Sequence, residues 1–135
     1  MSAAAAIARW RDAVNQRGAP AALAAAVVPD VVVECHAPAH PGETPGALAE
    51  RMVGVAAVAA WLARTHPDVT FALPDPPRPA DDARWRVRYQ LAAGDFANEG
   101  TWEVALADDG RLAVVVHRPR ALPAAPPPDE PEIPR

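Results

Sequence analysis

The residues best suited to chemistry are His117, Tyr89 and Asn98, which lie on strand-like segments in the C-terminal half of this 135-residue chain. An imidazole titrates near neutral pH, so His117 is the candidate acid or base. Tyr89 and Asn98 carry a hydroxyl and an amide, so they are candidates to orient a ligand oxygen or, equally, to satisfy each other. A structural role, in which His117 fills a pocket mouth or bonds to backbone, stays open.

Three segments predict the antiparallel meander that would position these residues: Arg84 to Leu91, Phe96 to Ala107 and Arg111 to Arg118. In the first segment Trp, Val, Tyr and Leu alternate with three Arg residues and a Gln. Alternation with a period of two is typical of a strand that has one apolar and one polar face. We therefore expect the candidate residues on the apolar face of a sheet.

The turn between the first two strands decides which residues face each other. A two-residue turn at Ala93-Gly94 predicts Tyr89 opposite Asn98 and Trp85 opposite Trp102. Aromatic residues would then pair across one face, as cross-strand energetics favour.

The second turn decides where His117 points. A two-residue turn at Asp109-Gly110 predicts Trp102 opposite His117, so that Trp85, Trp102 and His117 form one row. A type I turn with a glycine bulge would instead shift the register by one residue and turn His117 to the opposite face.

The outer face of the same meander mixes charges and valines, and the predicted register pairs Arg88 with Glu99 and Arg84 with Glu103. Its members are Arg84, Arg86, Arg88, Glu99, Thr101, Glu103, Val114, Val116 and Arg118. Such a face suits a homodimer formed sheet to sheet, because a bare face would expose apolar surface. A solvated face with exposed valines is the alternative.

Composition excludes several classes of function. The formal net charge of -4 argues against nucleic acid as a partner, since phosphate binding needs a basic surface. Every basic residue is Arg, so there is no lysine for a Schiff base or a P-loop. No stretch is long and apolar enough to span a membrane, and the N-terminus lacks the basic region of a signal peptide. We expect a cytoplasmic protein.

Cys35 is the single cysteine, so neither an intrachain disulfide nor a cysteine-based zinc site is available. It could act as a nucleophile with a histidine base, although a cysteine after three valines fits a small buried hydrophobe better. His36, His40 and His117 are the right ligand type for a metal. They lack a carboxylate at ligand spacing, so we expect no metal.

The N-terminal half predicts helices, and the C-terminus predicts a tail. The expected helices run from Ser2 to Arg17, from Ala21 to Val27 and from Val53 to Thr65; the expected strands are Val31 to His36 and Val69 to Leu73. Residues 1–122 would form one domain. Residues 123–135, rich in proline, would form an extended tail.

Several short motifs are spread over roughly residues 5 to 122: Arg9-Trp10 through Asn15, Gly18, Pro29 to Val33, Gly54, Trp61-Leu62, Gly100 to Val104 and Asp109 to Leu112. Together they resemble those of the NTF2-like superfamily, which includes steroid Δ-isomerases and SnoaL-like polyketide cyclases. The resemblance implies an α+β cone: a curved antiparallel sheet, covered on its concave face by about three helices, with a deep apolar cavity between them.

The resemblance also implies that three polar residues of the steroid isomerase site are replaced in this chain. Trp10, Cys35 and Trp102 look like the positions where steroid isomerases carry an oxyanion-stabilising tyrosine, a catalytic aspartate base and a second, protonated aspartate. The aromatic lining positions, Trp61, Trp85 and Tyr89, are kept aromatic. The expected ligand-binding residues are therefore Trp10, Cys35, Trp61, Trp85, Val87 and Trp102.

These observations predict a protein that binds a small apolar organic molecule. If it is an enzyme, we expect a cofactor-free isomerase, cyclase or dehydratase with His117 as acid or base and Tyr89 and Asn98 as donors to a ligand oxygen. The alternative is an interaction module that works through the sheet face or the proline-rich tail.

Overall fold

The structure is a computed structural model, which describes residues 2–38, 46–64, 68–81 and 83–120. The predicted tail and His40 lie outside these residues. The described elements are α1 (Ala3–Asn15), α2 (Pro20–Ala26), β1 (Val27–His36), β2 (Leu48–Val53), α3 (Val55–Ala63), β3 (Thr70–Ala72), β4 (Arg78–Pro79), β5 (Arg84–Ala93), β6 (Phe96–Leu106) and β7 (Leu112–Pro119). This is the predicted α+β arrangement of helices on one curved sheet.

Helix α1 begins and ends where the sequence places its signals. Ser2 caps α1, since its hydroxyl oxygen accepts a hydrogen bond from the backbone N–H of Ala5 at 3.1 Å. Gly18, at φ 80°, ends the helix by donating its N–H to the carbonyl of Ala13. The stripe of Ile7, Trp10 and Val14 is buried against the sheet, as its helical spacing predicts.

The sheet is mixed rather than purely antiparallel. Its strand order is β2-β1-β7-β6-β5-β3, with β4 also paired to β5, and β1 runs parallel to β7. The prediction of an antiparallel sheet is wrong at this pair, because residue alternation reports the two faces of a strand and not its direction. The parallel pairing places Cys35 of β1 beside His117 of β7.

The edge strand β2 was not predicted. Leu48 to Val53 reads Leu-Ala-Glu-Arg-Met-Val, and only Met52 in it is buried, so the segment has no clear alternation. Backbone pairing with β1 forms this strand in spite of its sequence pattern. Val53, expected to open a helix, is instead the last residue of β2, and α3 begins after Gly54.

The β5–β6 hairpin turns one residue later than predicted. Ala93 pairs with Phe96, so the turn is Gly94-Asp95, with Gly94 at φ 63°. Glycine favours the first position of a two-residue turn when that position needs positive φ. The change shifts the register by two, so Tyr89 lies opposite Gly100 rather than the predicted Asn98.

The shift of two residues keeps every side chain on its predicted face, and the second hairpin has the predicted register from Gly100 to Ala105. Trp102 faces Val87 instead of Trp85, but both belong to the predicted apolar face. Trp102 pairs with His117, which confirms the row across β6 and β7. A bulge does occur beside Leu106, next to the turn, without altering the pairing at His117.

The outer face of β5–β7 is held by ion pairs within the chain. Glu103 binds Arg86 at 3.0 Å and Arg84 at 3.6 Å, while Glu99 binds Arg88 at 3.3 Å. The two predicted Arg–Glu pairs are thus present, as diagonal contacts in the shifted register.

No helix within the described ranges is long and apolar enough to cross a membrane.

Asn15 joins α1 to the short strand β3. Its amide Nδ2 donates to the carbonyl of Phe71 at 3.0 Å, and its Oδ1 accepts from the N–H of Phe71 at 2.7 Å. The side chain thereby imitates a neighbouring strand at the free edge of β3. This contact fixes where the Phe71 ring enters the core.

We expect Asn15→Ala to lower the free energy of unfolding by about 2 kcal/mol, because it removes two hydrogen bonds and leaves two backbone groups of Phe71 without partners. Urea unfolding followed by tryptophan fluorescence would measure this. The control is Gln16→Ala, an exposed neighbour expected to change stability by less than about 0.5 kcal/mol. Equal effects of the two substitutions would contradict the assigned role of Asn15.

Candidate functional site

One row of side chains crosses the concave face of five strands. The registers place Glu50 of β2 opposite Cys35, Cys35 opposite His117, His117 opposite Trp102, and Trp102 opposite Val87 of β5. Directly opposed residues in a sheet point to the same side. The row therefore brings an acid, a thiol and an imidazole together from segments far apart in sequence.

Hydrogen bonds fix the protonation state of His117. The indole N–H of Trp102 donates to His117 Nδ1 at 3.0 Å, and His117 Nε2 lies 3.2 Å from the Tyr89 hydroxyl oxygen. Indole can only donate, so Nδ1 must be unprotonated, and the neutral ring carries its proton on Nε2. The Nε2–H then donates to the Tyr89 oxygen.

Burial reinforces this state. It lowers the pKa of His117 to about 4, because the charged ring would lose its hydration. Burial, followed by the nearby charge of a Cys35 thiolate, raises the pKa of Tyr89. Both groups are neutral at physiological pH, and both His117 nitrogens are engaged within the protein.

Gly100 makes this arrangement possible. It lies opposite Tyr89, and a Cβ at this position would overlap the Tyr89 hydroxyl and lie 2.6 Å from the carbonyl oxygen of Arg118. The Tyr89 ring thus occupies the space that a side chain would take, and it stacks on His117 with ring centres 5.1 Å apart. Gly100 belongs to the motifs that carry the family resemblance, but only the true register shows that its partner is Tyr89.

A cavity of about 370 Å³ opens in front of this network, between α1, α3 and the sheet. Its walls are mainly apolar and aromatic: Trp10, Val14, Glu50, Trp61, Leu62, Arg64, Val69, Phe71, Leu91, Phe96, Trp102 and His117. Trp61 contacts His117 edge to face, with ring centres 5.9 Å apart. Phe71, which was not a candidate, packs on Trp102 at 5.4 Å.

The ionised groups of the cavity wall are Glu50 and Arg64. They form an ion pair of 2.7 Å between Arg64 Nη2 and Glu50 Oε2, and both side chains remain substantially exposed. They therefore mark the mouth, whereas His117 lies in the interior. Sequence reasoning missed both residues: Glu50 lies on the strand that was not predicted, and Arg64 lies at the end of a helix with no partner visible in sequence.

The predicted site residues divide into two groups. Trp10, Trp61, Trp102 and His117 contribute to the cavity wall. Four others, Tyr89, Cys35, Trp85 and Val87, lie outside this wall although they share its face of the sheet. Asn98 lies opposite Leu91 rather than Tyr89, and its amide donates to the carbonyl of Arg120 at 3.0 Å. The predicted Tyr89–Asn98 pair is wrong because the β5–β6 hairpin turns one residue later than predicted, which places Tyr89 opposite Gly100.

Cys35 is half-buried, and burial, followed by the charge of Glu50, raises its thiol pKa. A raised pKa disfavours the reactive thiolate. Within the described ranges no cluster of three or more His, Cys, Asp and Glu residues is arranged to hold a metal ion. His36 instead places Nδ1 2.9 Å from the carbonyl oxygen of Gly46.

The neutral state of the partly buried His117 predicts a specific pH dependence. Unfolded His117 takes up a proton near pH 6.5, but the folded protein resists it until about pH 4. The unfolded state therefore binds more protons between these values, and His117 contributes a loss of stability of at most about 3 kcal/mol as pH falls through that window.

His117→Gln should remove this contribution, since glutamine keeps an acceptor and a donor but does not titrate. Urea unfolding of both proteins at several pH values would test it, because titration of the carboxylates is common to both. Parallel stability curves for the two proteins would contradict a neutral, buried His117.

Comparison with known proteins identifies the fold. No family model matches the chain, and no curated protein matches it. Solved structures do resemble it. A candidate ketosteroid isomerase from Kribbella flavida has a TM-score of 0.64 and 20% identity, and the alignment covers 98% of this chain and 88% of that one.

Two further structures agree. An NTF2-like protein of unknown function from Mesorhizobium loti has a TM-score of 0.63 and 24% identity over 88% of this chain and 91% of that one. A candidate isomerase of the SnoaL-like family from Agrobacterium tumefaciens has a TM-score of 0.65 and 19% identity over 90% of this chain and 100% of that one. The chain therefore has the α+β fold of the NTF2-like and SnoaL-like proteins.

Proposed function

We propose that this protein binds a small, flat, apolar organic molecule in the cavity between α1, α3 and the sheet. The observation that carries the proposal is a space of about 370 Å³ walled by aromatic and aliphatic side chains. This volume lies within the range of about 300–1,000 Å³ typical of small-molecule sites. Aromatic walls favour ring-shaped ligands, which can stack on them.

Among the described residues, the ring nitrogens of Trp10, Trp102 and His117 in the cavity wall are not free to bind a ligand. Trp102 and His117 use their ring nitrogens on each other and on Tyr89. The Trp10 Nε1–H is buried without a partner among the described residues, and it is too enclosed to contact a molecule in the cavity. A ligand must therefore gain its affinity in the interior from apolar contact.

The same geometry sets the condition for catalysis. Two of the structural neighbours are named as isomerases. For this chain to perform a cofactor-free isomerisation, cyclisation or dehydration, His117 would have to give up one of its two hydrogen bonds to reach a substrate. Reversible binding needs no such change, and we place it first.

The homodimer expected from the outer sheet face stays a prediction. Its Arg and Glu side chains are already paired within the chain, and Val116 is buried. The β5–β7 part of this face thus presents little apolar surface that would require a partner.

Filling the cavity tests the proposed function. Val69→Trp adds an indole to the wall, whereas Val53→Trp adds the same group at an exposed position of β2 outside the wall. With the uncharged fluorescent probe N-phenyl-1-naphthylamine, we expect binding to the wild type and to Val53→Trp. Val69→Trp should bind at least about tenfold more weakly, because the added ring occupies the ligand's space.

Thermal unfolding of each variant serves as the control for folding. Equal probe affinity in all three folded proteins would contradict binding in this cavity.

A further inference from the structure

We propose that the ligand of this cavity carries a protonated amine, which binds the carboxylate of Glu50 at the mouth while the apolar body of the ligand fills the interior. This inference rests on the proposed function and names the chemical class of the ligand.

Glu50 lies on the cavity side of the sheet, at the exposed rim. It pairs with Cys35 across the strands, and it lies two residues before Met52, which is buried in the core. Residues two apart on a strand share a face. The Glu50 side chain accordingly forms part of the cavity wall.

An acceptor atom is left over at this position. Glu50 Oε2 accepts from Arg64, whereas Oε1 has no hydrogen-bond partner among the described residues. A carboxylate has about four acceptor positions, so the ion pair with Arg64 leaves room for another donor. With the ring nitrogens of Trp102 and His117 engaged, Glu50 offers an acceptor at the mouth of the cavity.

The two members of the ion pair lie at different depths. The Arg64 side chain is 61% exposed and the Glu50 side chain 46%, so Arg64 occupies the more solvent-exposed side of the pair. An amine that approaches Glu50 from the cavity leaves the Arg64 guanidinium hydrated, so its charge carries little desolvation cost. A ligand carboxylate would have to bind Arg64 on that outer side and would meet the like charge of Glu50.

Aromatic side chains near the mouth add to this preference. Trp61 and the partly exposed Phe96 both belong to the wall that contains Glu50. An ammonium group is attracted by the faces of aromatic rings as well as by a carboxylate. A neutral hydroxyl gains only the hydrogen bond. The wall is thus best matched to an apolar amine.

Three probes with one ring system separate the classes: 1-naphthylmethylamine, 1-naphthalenemethanol and naphthalene-1-carboxylate. Isothermal titration calorimetry near neutral pH and low salt should give the tightest binding for the amine, by about five- to tenfold over the alcohol, and the weakest for the carboxylate. The advantage of the amine should shrink as salt is added.

Glu50→Gln, which keeps the size of the side chain, should bring the amine and the alcohol to within about twofold of each other. The matched control is Glu103→Gln, which neutralises an arginine-paired carboxylate on the outer face and should preserve the amine preference. Arg64→Gln should strengthen amine binding, because it releases Glu50 from its partner.

The outcomes distinguish this inference from the proposed function. Tightest binding of the carboxylate, or an amine preference that survives Glu50→Gln, overturns the inference. If all three probes bind the wild type alike and Val69→Trp weakens all of them, the cavity binds ligands but does not select an amine. If no probe binds the wild type, both proposals fail.

Discussion

The hydrogen-bonded chain from Trp102 through His117 to Tyr89 joins the three strands of the meander on their concave side. The Trp102 indole N–H donates to His117 Nδ1, and the His117 Nε2–H donates to the Tyr89 oxygen, so both imidazole nitrogens have a partner. A buried network of this kind stabilises only when every member is satisfied. Gly100 leaves the space that the Tyr89 ring occupies. Asn15 binds the backbone of Phe71, whose ring contacts Tyr89.

This network also determines the chemistry of the cavity. Because Trp102 can only donate, His117 cannot accept a proton on Nδ1 without placing two N–H groups against each other. Burial acts in the same direction and lowers the His117 pKa to about 4. The residue that the sequence singles out for acid–base work is therefore a neutral connector, and the ionised groups that a ligand can reach lie at the mouth, in Glu50 and Arg64.

The extent to which sequence predicts this site follows from what alternation encodes. Period-two patterning assigns faces, so Trp102, His117, Tyr89 and Val87 were placed on the correct side of the sheet. Register depends on one glycine in a turn, and a shift of two residues kept every face but exchanged Asn98 for Gly100 as the partner of Tyr89. The alternation does not show whether neighbouring strands run parallel or antiparallel, so it could not predict the parallel β1–β7 pair.

Glu50 could not be predicted for a related reason. An edge strand covered on one side has few buried positions, so β2 shows almost no alternation of apolar and polar residues. Its backbone pairing with β1 makes it a strand, and that pairing cannot be seen in the sequence of β2.

Trp10, Cys35 and Trp102 stand at the positions that look like those of the isomerase machinery. The Trp10 N–H is enclosed, the Cys35 thiol has a raised pKa, and the Trp102 N–H is committed to His117. None of the three is free to move a proton or to donate to a developing oxyanion in this arrangement. If the cavity binds ligands as we propose, selection among them depends on the charge of Glu50 at the mouth and on the fit of an apolar body against the aromatic wall.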